Sequence, residues 1–476
     1  MCKHWKLMAF CTLVFVLLSL PLFFGPMFVD TWVFAYIGKH MSLDKLPYLD
    51  LPDNKGIFTY LFYRGLDFFF PQNFFAWNAV FLLLALASAG CIWLIVKKKA
   101  GEEAALAAFA FYLALSLFPG IDTFGSSEAI GMPFLLASFA LLYYNSKSAR
   151  AQIAAGLLFS IPLLTNILFL PSLISLALFH FLGEFRLSRQ FAIPAAFLPL
   201  VFLLFLASTG SLPAFVEWFF TYNLAHSGAY YEDTPQSIIP LAGLLNVPLH
   251  ILLALVLAVF YFPQLRKFRI LALCIAPLLL FTVSKILLIV VPDHYSIATL
   301  PLYAISAGAV FSSFRGFDGT MVRALLLSSL AFLSLAFLSQ NLGSAETFPQ
   351  HADLLYQQKF QSAYPAFQNS PNLLAVGQGL AFTRAYYLAN STYSGKYFFY
   401  FHIFSKVPFL RKEMDNDVLS AMANGSAKLI VTDADCPNIF CPTAEVSAGI
   451  ASGYTCNRTD FGMGGEYNYS YCVRNA

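Results

Sequence analysis

Near its N-terminus the chain sets Asp30 at the end of an apolar run and follows it with Asp44, Tyr48, Asp50, Asp53, Lys55 and Arg64. A carboxylate at the edge of a hydrocarbon layer is partly desolvated, which raises its pKa and suits it to take a proton from a hydroxyl nucleophile. A lysine beside it can hold a phosphate. Acidic residues at a helix end also serve as plain solvating groups, so spacing alone leaves both readings open. Two ionisable residues stand further along. Lys285 sits inside an apolar run, where a charge is either functional or snorkels to the interface. His294 either caps the next helix or contacts a phosphate or acceptor.

The elements that must position these groups follow from composition. A chain that is 59% hydrophobic and 11% charged has more apolar surface than one soluble core can hide. Runs suited to crossing ~30 Å of hydrocarbon are read at 7–24, 76–96, 104–118, 129–144, 153–165, 167–182, 191–207, 238–262, 270–291, 297–314 and 321–338. This predicts a polytopic α-helical membrane protein of about eleven transmembrane helices. Lys97, Lys98, Lys99, Lys147, Arg150, Arg186, Arg189, Arg266, Lys267, Arg269, Arg315 and Arg323 fall in alternate connections, which the positive-inside rule assigns to the cytoplasm together with the N-terminus. The plasma membrane is the expected location. Residues 30–72 then form a long first outer loop, and loops of that length are usually functional. A net charge of +3 without a basic cluster gives nucleic acid no groove.

An odd number of spans divides the chain into a membrane domain, 1–343, and a soluble extracytoplasmic domain, 344–476. The tail holds Cys436, Cys441, Cys456 and Cys472, and the four sequons at Asn390, Asn424, Asn457 and Asn468. Disulfide and glycan candidates of this kind fit an oxidising compartment. Leu373–Val376 and Lys428–Thr432 read as strands with a helix between Lys412 and Ala423, so a small α/β domain is expected.

The run Leu46-Pro47-Tyr48-Leu49-Asp50, followed by Asp53, Lys55 and Gly56 and preceded by Asp30, resembles the first outer loop of the GT-C glycosyltransferases, the relatives of protein mannosyltransferases and the lipid A aminoarabinose transferase. Glu128 after Pro119–Ser127, the run Gly210–Tyr231 with Asn223, and Pro292-Asp293-His294-Tyr295 are similar to further segments of that family. The chain departs from it at Thr31, where a Glu is usual, and at Asn166, where many members carry a Lys.

The resemblance implies an inverting transfer of a sugar from a polyprenyl- or dolichyl-phosphate donor to a glycan, lipid or protein acceptor at the outer face. Asp30 would be the base; Lys55, joined by Lys285 and His294, would hold the donor phosphate. Tyr48, Asp50, Asp53, Glu128, Asn223 and Tyr295 would shape the pocket. No cofactor is demanded, although outer carboxylates suit Mg²⁺ or Mn²⁺. Two alternatives stay open: a polytopic secondary transporter, for which the sequence shows no convincing internal repeat, and an inactive relative that binds lipid-linked glycans.

Overall fold

A computed structural model describes residues 5–24, 29–117, 125–181, 186–223, 300–301, 304–305, 307–308, 372–376, 387, 392–393, 408–433, 443–460 and 468–475. The expected spans at 238–262, 270–291 and 321–338 lie outside the described residues.

The helices start where the sequence supplies caps. Helix α1 covers Trp5–Phe24, and α4, Phe74–Ala100, starts where the Asn73 side chain accepts from Ala76 N. Gly101, at φ +90°, ends α4 and opens α5, Glu102–Ser116, whose two leading glutamates suit the positive end of the helix. Ser126 caps α6, Ser127–Asn145, and Ser148 caps α7, Ala149–Leu163. The chain then breaks at Asn166, makes a 3₁₀ turn over Ile167–Phe169, and continues in α8, Pro171–Phe181, and α9, Arg189–Ser208. A short α10, Leu212–Val216, runs into a π-helical turn, Glu217–Tyr222.

Phe74–Lys98, Ser127–Asn145 and Arg189–Ser208 are long and apolar enough to cross a membrane. On α9, Ile193 and Leu204 are 66% and 69% exposed, a surface that hydrocarbon tolerates and water does not. Helix α4 packs on both α5 and α6, α6 packs on α7, and α7 on α9. The start of α6, the end of α7 and the first loop therefore meet at one end of the bundle.

The segment 30–72 is more helical than a loop reading suggests. It contains α2, Val29–His40, and α3, Ile57–Phe69, packed on each other. Helix α3 buries Ile57, Tyr60, Tyr63 and Leu66 and exposes Leu61 and Phe68, so its polarity marks one face rather than an unstructured run. Gly38 permits the close approach of the pair: a Cβ there would lie 2.5 Å from the Tyr60 carbonyl oxygen.

The C-terminal strands are β1 Asn372–Val376, β2 Thr392–Tyr393, β3 Leu429–Asp433, β4 Tyr454–Asp460 and β5 Asn468–Arg474. They form one sheet in the order β2-β1-β3-β5-β4, parallel across the first three and antiparallel thereafter. Helices α11, Pro408–Ala423, and α12, Ala444–Gly453, pack beside it. Cys456 and Cys472, opposite each other in the β4–β5 ladder, form a disulfide. Tyr387 reaches the first loop: its ring packs with Trp32 and Trp77, and its hydroxyl donates to the Asp67 carboxylate. Lys39 lies 4.7 Å from the centroid of that ring.

Candidate functional site

The turn that precedes α3 is built to bury a charge. Tyr48 is fully buried and adopts φ +68°, a left-handed conformation that a bulky residue holds only when its surroundings fix it. Its hydroxyl donates to the Lys55 carbonyl at 2.9 Å. Tyr60 Oη lies 3.0 Å from the same carbonyl and 2.9 Å from Asp53 Oδ2, so two phenols pin the backbone at Lys55 and one of them also reaches Asp53. Asp53 and Lys55 are each 6% exposed. Burial raises the Asp53 pKa, while Lys55, the Asn54 N–H and the Tyr60 hydroxyl pull it back.

Asp50, three residues before Asp53, behaves differently. It is exposed, and its Oδ2 accepts from Leu46 N at 2.7 Å, which closes its own turn. Asn223 approaches from the π-helical turn: its Nδ2 donates to the Asn54 and Phe219 carbonyls, and its Oδ1 accepts from Asn54 Nδ2 at 3.0 Å. It thereby holds the residue between Asp53 and Lys55.

The turn is seated on the break between α7 and α8. Gly56 N donates to the Thr165 carbonyl, Phe58 N to the Leu164 carbonyl, and Thr59 Oγ1 to Thr165 again, at 2.8, 2.8 and 3.0 Å. Gly56 is needed for closeness rather than for φ, because a Cβ there would stand 2.1 Å from the Leu164 oxygen. One residue further, Asn166 Nδ2 donates to Glu128 Oε1 at 2.6 Å and to Ser127 Oγ at 2.8 Å, while its Oδ1 accepts from Leu168 N at 2.9 Å. Glu128 is 1% exposed in the first turn of α6, where the helix dipole favours its charge.

Asp30 stands in the first turn of α2 and is half-buried. Its negative charge adds to burial in raising the Tyr63 pKa. The Tyr63 hydroxyl donates to the Gly125 carbonyl and lies 3.4 Å from Thr31 Oγ1. Thr31 is fully buried, and a Cβ on Gly125, at φ +98°, would stand 2.3 Å from its Oγ1. The segment leading into Glu128 thus rests on the helix that carries Asp30. At the far end of α2, burial and the neighbouring Lys39 and Lys45 push the His40 pKa down to about 4, so the ring is neutral at pH 7.

The structure therefore brings Tyr48, Asp53, Lys55 and Asn223 into one cluster, seats that cluster beside Asn166 and Glu128, and ties Asp30 to the same second-loop segment through Tyr63. Tyr60, Tyr63, Asn54 and Ser127 complete the arrangement without having been singled out in sequence. The spacing Tyr60-x-x-Tyr63, which lines one helical face, is the signal that could have found two of them. Lys285, His294, Tyr295, Asn390, Cys436 and Cys441 lie outside the described residues. Asn424 is exposed in the turn after α11, and Asn457 and Asn468 lie on β4 and β5. Among the described residues no group of three or more His, Cys, Asp or Glu side chains could hold a metal ion.

No family model and no curated protein matches the chain. Solved structures are. ArnT from Cupriavidus metallidurans in the apo state superposes with a TM-score of 0.50 at 13% identity, over 96% of this chain and 97% of that one. The Archaeoglobus fulgidus oligosaccharyltransferase tethered to an acceptor peptide containing the NVT sequon gives 0.51 at 11% identity, over 98% and 74%. The archaeal oligosaccharyltransferase AglB of the same organism, in complex with an inhibitory peptide and a dolichol-phosphate, gives 0.51 at 12% identity with the same coverage. The chain thus has the fold of these solved structures, and three of its described helices are long and apolar enough to cross a membrane.

Proposed function

We propose that the chain transfers a sugar from a polyprenyl- or dolichyl-phosphate donor to an acceptor hydroxyl at the outer face of the membrane. Residues 1–343 form the membrane domain with a cytoplasmic N-terminus, and 344–476 the outer domain. The observation that carries this reading is the seating of Asp53, Lys55 and Gly56 against the 164–166 break, with Glu128 adjoining: ionisable groups are held dry at one end of an apolar bundle, where a lipid-borne phosphate would arrive. Burial of charge costs stability, so it is kept where it does chemistry. The binding of a dolichol-phosphate by the similar archaeal enzyme supports a lipid-phosphate donor.

In the proposed reaction Asp30 takes the proton of the acceptor hydroxyl as its oxygen attacks the anomeric carbon. The bond from that carbon to the phosphate oxygen breaks with inversion, and the lipid phosphate leaves with the added negative charge. Lys55, with Lys285 and His294, neutralises that charge, the step at which electrostatic stabilisation counts most. Tyr48 and Asn223 hold the Lys55 turn, while Asp53, Glu128 and Tyr295 line the sugar or acceptor side. The acceptor is a glycan, lipid or protein.

The test is transfer of radiolabelled sugar from a panel of polyprenyl-phosphate sugars by membranes carrying the wild-type chain or Asp30→Asn at matched expression. Wild-type transfer that falls about 10²- to 10⁴-fold in the variant supports the enzyme and its base. Equal transfer by both removes Asp30 from the reaction. No transfer by the wild type across the panel turns the reading towards an inactive relative.

A further inference from the structure

We infer that Asn166 is a positioning residue for Glu128, its neutral amide fixing this carboxylate at the break on which the Lys55 turn is seated. This rests on the transfer reading above. The amide makes three contacts in opposite senses: Nδ2 donates to Glu128 Oε1 and Ser127 Oγ, and Oδ1 accepts from Leu168 N. Reversing the amide would face oxygen to a carboxylate and nitrogen to an N–H, so the network fixes its orientation. Asn166 is 2% exposed and Glu128 1%, so the 2.6 Å bond forms away from water, where a hydrogen bond to a charged acceptor is strong and geometrically exacting.

The two residues that precede Asn166 also seat the lysine turn. The Leu164 and Thr165 carbonyls accept from Phe58 N, Gly56 N and Thr59 Oγ1, so a single break between α7 and α8 sets both Lys55 and Glu128. An amide at 166 fixes Glu128 without adding a second cation beside Lys55. Both carboxylate oxygens are then held, Oε1 by the Asn166 amide at 2.6 Å and Oε2 by the Ser127 hydroxyl at 3.2 Å.

The experiment separates this role from the cap that Asn166 makes for the 3₁₀ turn. Asn166→Ser keeps a side-chain acceptor for Leu168 N but is too short to reach Glu128; Asn166→Gln keeps the amide. Steady-state transfer is measured for both, for Glu128→Gln and for the double variant Asn166→Ser/Glu128→Gln, with melting temperatures in detergent for all. Asn166→Ser is expected to lower kcat about 10- to 100-fold with little change in the donor KM. Asn166→Gln should recover part of that loss, and the double variant should be no worse than Glu128→Gln alone. Wild-type kcat in a folded Asn166→Ser protein, or multiplication of the two losses in the double variant, overturns the inference. If the wild type transfers nothing, the functional reading fails; the melting cycle then still decides the contact, with additive shifts overturning it and non-additive shifts upholding it.

Discussion

Strands β4 and β5 and the turn from Leu46 to Tyr60 are both short stretches held by dense polar links, yet they use them in opposite ways. In the sheet the ladder and the Cys456–Cys472 disulfide join one strand to the next, and Val473 and Arg474 beside them are exposed. In the turn, two phenols and a glycine-close approach hold Asp53 and Lys55 out of water. The sheet links oppose unfolding. The turn links oppose the return of two charges to solvent, and a fold has no stability reason to do that. On the proposed reading the turn carries the chemistry and the sheet the scaffold.

Within the two regions compared, the largest effect is expected at Lys55. Lys55→Ala removes the cation proposed for the leaving phosphate and should reduce transfer about 10²- to 10³-fold, measured with the same donor panel. Retained transfer in a folded Lys55→Ala protein would erase the distinction between the two regions, because the buried lysine would then be structural as well.

Asp53 sharpens the same contrast through pH. Its carboxyl titrates above its ordinary value of 3.8 because burial outweighs Lys55 and the hydrogen bonds around it. Between that ordinary value and the raised one, the folded chain binds more protons than the unfolded chain, so stability falls as pH rises through the window. Asp53→Asn has no such group. Its melting temperature in detergent should fall less than the wild type's as pH is raised from acid to neutral, while its transfer drops. A parallel fall in both proteins would mean that Asp53 is not desolvated in the folded state.

Much of this was legible in sequence, and the gaps have physical causes. The apolar runs match helices α4 to α9 to within a few residues, because each of these helices is apolar over most of its length whether it is buried or exposed. The tail strands β1 and β3 read correctly, since each is a short apolar run bounded by turn residues. Helices α2 and α3 were read as part of a loop because they are too polar to cross a bilayer, and only the amphipathic face of α3 betrays it. Asp30, Asp53, Lys55, Glu128 and Asn223 could be picked by type and motif. Their company could not: Tyr60 joins Asp53 across one turn, and Asn166 joins Glu128 over 38 positions. Asp50 and Asp53 look alike in the sequence, and only burial tells the turn cap from the dry carboxylate.

The smallest effect on transfer is expected in the sheet. Replacing Cys456 and Cys472 together by Ser removes a link that closes a loop of 16 residues in sequence, worth about 3 kcal/mol if it acts through the unfolded chain. The two strands remain paired along their length, so the cost should appear as earlier denaturation of the tail, read by limited proteolysis after heating. Transfer should stay within about twofold of wild type at temperatures where the tail is folded, because surface and scaffold changes away from a site leave its groups in place. A loss of transfer comparable to that of Lys55→Ala, at a temperature where the tail resists protease, would break the comparison. It would give the sheet a part in the reaction, and Tyr387, which packs on Trp32 two residues from Asp30, is the contact through which that part would be exerted.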